Sequence, residues 1–408
     1  MVLDFASTIG ELVTAHAHNG VSAGPGQAGF AEASLSLLDG FRKSVLHPAP
    51  QGEKMTGYAP TRRGALWGAA SIIATPFAAD AQIPSGVQLR RIKTNGISLR
   101  VAEMGAGPLV ILVHGWPESW YSWRHQIPAL AAAGYRVVAP DMRGYGGSDK
   151  PVAVEDYDIR HTTGDLADLV TALGETSAIL VGHDWGAIVS WQAMMLHPEK
   201  FSALAAMSVP FGGRPPISPI EAMKARYKDN FYYILYFQQP GVAEAEFDAD
   251  PRAILSRLYT SPDTPAAAPK VIDPKMSASG WIDRLGAPKA IPPWLSQADL
   301  DYYVGEFRRA GFRGGINYYR NFDRNWKITP ELAGAKIRQP VTFMAGEKDI
   351  VIAGATAEAL TSNMNRVCED FRGVALFPGA GHWVQQERAL EVNRTLLSFV
   401  TSVSKRQA

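Results

Sequence analysis

The residues best suited to chemistry in this sequence form a pentapeptide, Gly182-His183-Asp184-Trp185-Gly186, which follows the apolar run Ala178–Val181. A strand that turns sharply into a helix between two glycines is the setting of a nucleophile elbow, and here an aspartate stands where serine is usual. A carboxylate is ionised at neutral pH, so it attacks carbon without a base and leaves an ester on the enzyme. The alternative is that Asp184 only caps the following helix, a common role for aspartate. The strand before it and the helix after it favour the nucleophile.

An ester on the nucleophile must then be hydrolysed, and this requires a water molecule activated by a base. A histidine oriented by a second carboxylate supplies such a base. His382 lies in a glycine-rich turn after the apolar run Val374–Phe377, and Asp349 follows the run Val341–Ala345. Glu347 is a weaker rival for the role of the carboxylate. Nucleophile, acid and histidine therefore occur in the expected chain order.

Backbone N–H groups that stabilise an oxyanion are expected near the same turn. The segment His114-Gly115-Trp116-Pro117 follows the apolar run Leu109–Val113. The N–H groups of Trp116 and of Trp185, the residue after the nucleophile, would stabilise the negative oxygen that forms when water attacks the ester. We expect the side chain of His114 itself to be structural.

Apolar runs that alternate with amphipathic stretches must position these residues. Runs of four or five apolar residues suit strands that are buried on both faces, as in a parallel sheet. We predict strands at 109–113, 136–139, 178–181, 204–208, 341–345 and 374–377, and helices at 126–133, 160–173, 187–197 and 355–364. This alternation predicts a doubly wound α/β sheet with its functional groups on the loops that follow the strands. Residues 213–327 interrupt it and suggest a helical insertion, with helices at 220–235, 252–258 and 297–309.

Composition narrows the classes of protein to which the chain can belong. The 408 residues are 46% hydrophobic, which is enough for a sizeable core. A net charge of +1 gives no general attraction to nucleic acid or to an anionic membrane, and no stretch of about 20 apolar residues suggests a membrane span. The single cysteine, Cys368, excludes an intramolecular disulfide and a cysteine metal cluster. We expect neither a metal nor an organic cofactor.

With these motifs in view, the chain resembles the epoxide hydrolases of the α/β-hydrolase fold, particularly the soluble type. The resemblance covers roughly residues 90 to 400 and leaves out the N-terminal leader. It is carried by four specific motifs, which are HGWPESWYSWRHQIPALAAAGYRVVAPDMRGYGGSD, VGHDWGAIVSW, LYFQQPGVAEAE and GFRGGINYYRNFDRNW.

The resemblance implies an α/β-hydrolase fold with an inserted helical cap domain. The core would comprise residues 86–212 and 328–402, and the cap residues 213–327. The resemblance also implies that two cap tyrosines, Tyr233 and Tyr319, donate hydrogen bonds to the oxygen of a hydrophobic epoxide. The product would be a vicinal diol. The sequence alone does not distinguish this pair from the neighbouring Tyr232, Tyr236, Tyr302, Tyr303 and Tyr318.

Two other functions share the same nucleophile or the same fold. Haloalkane dehalogenases form the same ester but bind halide with side chains instead of a tyrosine pair. Many carry asparagine where Trp116 stands, and fluoroacetate dehalogenases tend to carry arginine where Trp185 stands. A non-catalytic ligand receptor of this fold often has a degraded triad, whereas all three positions are intact here. The sequence therefore favours an epoxide hydrolase, and it leaves the oligomeric state open.

The first 85 residues differ in character from the rest of the chain. Arg62-Arg63 precede a weakly apolar segment that ends at Ala79-Asp80-Ala81, so residues 55–81 resemble a twin-arginine export signal with a small-residue cleavage site. The alternative is an alanine-rich helix on a cytoplasmic protein. Because 61 residues before Arg62 make an unusually long leading region, Met55 is a second candidate for the start of translation.

If this segment is an export signal, the mature protein should begin near Gln82 and lie in the periplasm or outside the cell. Sequencing the N-terminus of protein purified from its native host tests this expectation. An uncleaved leader together with purely cytoplasmic activity would contradict it.

Overall fold

The computed structural model describes residues 83–404. Arg62-Arg63 and Ala79-Asp80-Ala81 lie outside the described residues, so export remains a prediction from the sequence. Among the helices described, none combines the length and the apolar character needed to cross a membrane.

An eight-stranded sheet with the strand order β1-β2-β4-β3-β5-β6-β7-β8 forms the centre of the described structure. β1 and β2 pair antiparallel, β2 also pairs antiparallel with β4, and the remaining pairs are parallel. In chain order the strands are Gln88–Thr94, Ile97–Met104, Leu109–Val113, Arg136–Pro140, Ala178–His183, Phe201–Met207, Ile337–Gly346 and Cys368–Phe377. Every residue of β3 and β5 is buried, as expected of strands covered on both faces.

The helices alternate with the parallel strands and then interrupt them between β6 and β7. Those that accompany the sheet are α1 (Gln126–Ala132), α2 (Ile159–Ala172), α3 (Trp185–Leu196), α11 (Ala357–Val367), α12 (Val384–Glu387) and α13 (Ala389–Ser404). The inserted helices are α4 (Pro219–Tyr227), α5 (Tyr233–Phe237), α6 (Val242–Ala249), α7 (Pro251–Leu258), α8 (Gln297–Ala310), α9 (Arg313–Arg320) and α10 (Phe322–Ile328). The α/β-hydrolase fold with a helical insertion, predicted above, is confirmed.

Two details differ from the prediction. The single helix predicted at 220–235 is two helices, because the chain turns at Lys228, where φ is +50°, and α5 begins only at Tyr233. The first two strands were not predicted, since β1 is largely exposed and lacks a continuous apolar run. Asn95-Gly96, both with positive φ, form the tight turn between them, and this dipeptide is a recognised hairpin signal.

Polar contacts attach the inserted helices to the sheet and its loops. Arg100 of β2 forms ion pairs with Asp141, after β4, and with Glu306 of α8. The Tyr121 hydroxyl donates to Asp299 of α8 at 2.7 Å. Asp141 and Glu306 are almost fully buried. Loss of Arg100 would therefore leave Asp141 without its ion-pair partner and Glu306 with Arg309 alone. These contacts fix the insertion over the loops at the carboxyl ends of the strands.

Candidate active site

Asp184 occupies the sharp turn between β5 and α3. Its φ of 53° and ψ of −119° are unusual for a residue with a side chain. The glycines make the turn feasible, because a Cβ atom at Gly186 would lie 1.9 Å from the Val113 carbonyl oxygen. The Asp184 side chain makes no capping hydrogen bond to α3. Its Oδ1 instead accepts the Trp116 N–H at 2.7 Å, so the carboxylate is directed away from the helix and the capping alternative is not supported.

His382 lies between two carboxylates. Its Nδ1 is 3.1 Å and 3.2 Å from the two carboxylate oxygens of Asp349, and its Nε2 is 3.7 Å from Oδ2 of Asp184. Asp349 is 1% exposed and also accepts the Val351 N–H. The rival Glu347 accepts the N–H of Gly379 at an exposed position. The structure therefore pairs His382 with Asp349.

The charges of the two carboxylates act on the protonation of His382. Burial disfavours the imidazolium, but Asp349 and Asp184 outweigh it and raise the pKa of His382 well above its ordinary value. Burial alone would raise the pKa of Asp349, whereas the nearby His382 and the Val351 N–H lower it. The two carboxylates thus favour the protonated form of His382, and His382 in turn favours the ionised form of Asp349.

The predicted oxyanion donors lie on either side of the nucleophile. The Trp116 N–H already contacts the Asp184 carboxylate. Trp185 is the first residue of α3, so its N–H has no acceptor one turn earlier in that helix. Gly115 permits the loop after β3 to approach Asp184 closely, because a Cβ atom at position 115 would lie 2.4 Å from Cβ of Asp184. His114 is structural as expected, since its Nε2 accepts the Met142 N–H at 3.0 Å.

Tyr233 and Tyr319 come from α5 and α9 and pack against each other near the elbow, where the Tyr319 ring lies 5.0 Å from the ring of Trp185. Their ring centroids are 5.8 Å apart, and their side chains are hydrogen-bonded to each other. Burial, followed by the charges around them, including that of Asp184, raises the pKa of both tyrosines. Both hydroxyls therefore stay protonated and available as donors.

The other candidate tyrosines have structural partners. Tyr232 stacks on Tyr227 with ring centroids 4.0 Å apart, and Tyr302 stacks on Tyr121 at 4.1 Å. The remaining hydroxyls contact Glu246 (Tyr236, 2.9 Å), Ser122 (Tyr303, 2.8 Å) and the Arg143 carbonyl (Tyr318, 3.0 Å). These contacts account for the five other tyrosines, and the role of Tyr233 and Tyr319 stays a prediction.

A buried network behind the histidine was not predicted. His183 Nε2 lies 2.8 Å from the His382 carbonyl oxygen, and its Nδ1 lies 2.8 Å from Glu118. The Ser208 hydroxyl also donates to that carbonyl, at 3.0 Å. Burial tends to raise the pKa of Glu118, but His183 and other neighbours lower it to about 2. In the sequence, this network is indicated only by the place of His183 next to the nucleophile and of Glu118 shortly after His114-Gly115.

Two further observations concern other kinds of chemistry. Between residues 83 and 404, no group of three or more His, Cys, Asp or Glu side chains is arranged to hold a metal ion. Burial raises the pKa of Cys368 to about 12, which makes its thiol a poor nucleophile. A G-x-S-x-G pattern at Gly20–Gly24 lies outside the described residues, and polar residues directly precede it instead of an apolar strand.

Replacing Asp349 with asparagine should lower the pKa of His382, because one of its two carboxylate partners loses its charge. NMR titration of ¹³C-labelled histidines measures this shift, and Glu347→Gln is the matched control. Because the pKa of His382 is raised in the folded protein, protonation of this histidine stabilises the fold. The contribution is complete below the unfolded pKa of about 6.5 and is lost as pH rises through the folded pKa. An unchanged titration in Asp349→Asn would contradict the assignment.

Comparison with known proteins agrees with this geometry. A family model described as the alpha/beta hydrolase fold matches residues 108–389. The chain is 48% identical over 326 residues to Epoxide hydrolase A of Mycobacterium tuberculosis, covering 78% of this chain and 98% of that protein. It is 38% identical over 314 residues to Epoxide hydrolase 2 of Siraitia grosvenorii, covering 76% and 96%. The crystal structure of Epoxide Hydrolase A from Mycobacterium thermoresistibile superposes with a TM-score of 0.72 at 48% identity, covering 77% and 98%. The chain belongs to the epoxide hydrolases of the α/β-hydrolase fold.

Proposed function

We propose that this protein hydrolyses epoxides to vicinal diols through a covalent ester on Asp184. The observation that carries the proposal is the convergence on one carboxylate of a histidine–aspartate pair and two buried tyrosine hydroxyls. The likeness to proteins named epoxide hydrolases supports the substrate class.

In the first step Asp184 attacks one epoxide carbon and the bond from that carbon to the epoxide oxygen breaks. The Tyr233 and Tyr319 hydroxyls donate hydrogen bonds to the oxygen as it becomes negative, and one of them transfers its proton to it. The His382 imidazolium then returns a proton to that tyrosine and becomes neutral. Donors fixed in a dry site stabilise such charge more than water does. The product of this step is an ester between Asp184 and the substrate, which now carries a hydroxyl group.

In the second step His382 removes a proton from water, and the resulting hydroxide attacks the carbonyl carbon of the ester. The Trp116 and Trp185 N–H groups stabilise the oxyanion. When the ester bond breaks, His382 returns its proton to the departing diol oxygen. The proton left on the Asp184 carboxyl group returns to His382, so that Asp184 is ionised and His382 is protonated again.

Charge balance makes the second step follow the first. Ester formation removes the charge of Asp184, one of the two carboxylates that hold His382 protonated. The pKa of His382 must therefore fall when the ester forms, which is when a base is required. Asp349 keeps the imidazole oriented throughout.

The surroundings of the tyrosines favour a hydrophobic epoxide. Trp281 stacks on Tyr233 with ring centroids 4.8 Å apart, and Phe237 lies against Tyr319 at 5.0 Å. Trp116 packs against Phe237 at 5.2 Å. Apolar substituents on the epoxide would leave water and pack against this apolar lining, and this supplies binding energy in proportion to the area buried.

Single-turnover hydrolysis in ¹⁸O-labelled water, with enzyme in excess, tests the ester. We expect little label in the first diol, because its new oxygen comes from Asp184, and we expect label in the peptide that contains Asp184. In His382→Gln the ester should accumulate and add the mass of one substrate to the protein, since forming it needs no base. A fully labelled first diol with no adduct in that variant would exclude Asp184 as nucleophile.

Replacing Tyr233 or Tyr319 with phenylalanine should slow ester formation by about 100-fold, the typical cost of losing one such donor. Ester hydrolysis involves a different oxygen and should change less. Stopped-flow fluorescence of the neighbouring tryptophans separates the two rates, with Tyr302→Phe as the control. Unchanged ester formation in both single variants would favour a haloalkane dehalogenase, which a haloalkane substrate would then reveal.

A further inference from the structure

Glu387, the last residue of α12, contacts the backbone on both sides of His382. Its Oε2 accepts the Gly381 N–H at 3.0 Å and its Oε1 accepts the Trp383 N–H, also at 3.0 Å. One carboxylate therefore binds the residue before the catalytic histidine and the residue after it. The side chain is partly buried, so water does not fully replace either contact.

The peptide unit between His382 and Trp383 is held at both ends. Its carbonyl oxygen accepts from His183 Nε2 at 2.8 Å and from the Ser208 hydroxyl at 3.0 Å. Its N–H donates to Glu387. Holding both ends of a peptide plane fixes its orientation, and this sets the direction in which the preceding side chain leaves the backbone.

The same carboxylate also contacts the inserted segment between α7 and α8. The Ser261 hydroxyl donates to Glu387, and the Trp294 indole N–H donates to Ser261 at 3.0 Å. Nearby, the Trp383 indole N–H donates to the Leu258 carbonyl at 2.9 Å. Glu387 thus links the histidine loop to the part of the chain that covers it.

We propose that Glu387 is a positioning residue for ester hydrolysis, a role that rests on the two-step reaction proposed above. Its hydrogen bonds go to Gly381, Trp383 and Ser261 and not to the nucleophile or the tyrosine pair, so we expect ester formation not to depend on it. Hydrolysis does, because His382 must lie within hydrogen-bonding reach of the attacking water while its Nδ1 stays on Asp349. A small displacement of such a base is costly to the rate.

Glu387→Gln tests this role with little change in shape. Glutamine has one acceptor oxygen, and its NH₂ group cannot accept, so one of the two backbone N–H groups loses its partner in either orientation. With styrene oxide as the probe, we expect ester hydrolysis to slow by about 10- to 100-fold while ester formation stays within about twofold of the original rate. Intact-protein mass spectrometry should then show the ester accumulating at steady state. Glu347→Gln makes the same chemical change on the same loop but can keep its single exposed contact to Gly379, so it is the matched control and should not accumulate the ester.

Other outcomes overturn the proposal. Unchanged hydrolysis in Glu387→Gln, or an equal loss in both steps, would show that Glu387 does not position the histidine. If that variant does not fold, Glu387→Asp keeps both acceptor oxygens on a shorter side chain, and a defect confined to hydrolysis is expected there too. The His382→Gln variant separates a failure of the two-step reaction from a failure of the role of Glu387. If the ester accumulates in His382→Gln but not in Glu387→Gln, the two-step reaction is upheld and the role of Glu387 is rejected.

Discussion

The site depends on the close approach of two backbone segments at the elbow. The loop after β3 and the start of α3 can touch only because Gly115 and Gly186 carry no Cβ atom. That contact brings the Trp116 N–H to the Asp184 carboxylate and holds the nucleophile with an unusual positive φ. Strained backbone of this kind persists where the surrounding structure determines it, and it turns the side chain away from the helix and toward the substrate.

Charge is the second constraint, because three ionisable groups of the site share a small volume. Asp184 and Asp349 together raise the pKa of His382, and in the proposed reaction the loss of the Asp184 charge allows the imidazole to act as a base. The inserted helices add Tyr233 and Tyr319, and the raised pKa of these buried hydroxyls keeps them protonated before the reaction begins. The chemistry therefore depends on the insertion being fixed to the core, which the Arg100 ion pairs achieve from a distance.

The sequence by itself determined the parts of the structure that have a local signal. Buried parallel strands require continuous apolar runs, so the central strands could be predicted, and β3 and β5 are fully buried as expected. The elbow was recognisable because a sharp strand-to-helix turn needs glycines at fixed spacing around Asp184. Asp349 and His382 were found because the loops after parallel strands meet at one edge of the sheet. The hairpin at Asn95-Gly96 has an equally local signal in that dipeptide, although its two strands lack a continuous apolar run.

Only the tertiary structure decided among residues of the same type. Asp349 and Glu347 are two positions apart in the sequence, and the fold brings only the former to the imidazole. The tyrosine pair comes from helices far apart in the chain, so its selection from several neighbours depends on how α5 and α9 pack, including the break at Lys228. Glu387 was equally hidden, because its role lies in backbone hydrogen bonds to the histidine loop, and any residue type can supply a backbone N–H. A sequence pattern records which groups are present, whereas distances of about 3 Å between them arise from long-range packing alone.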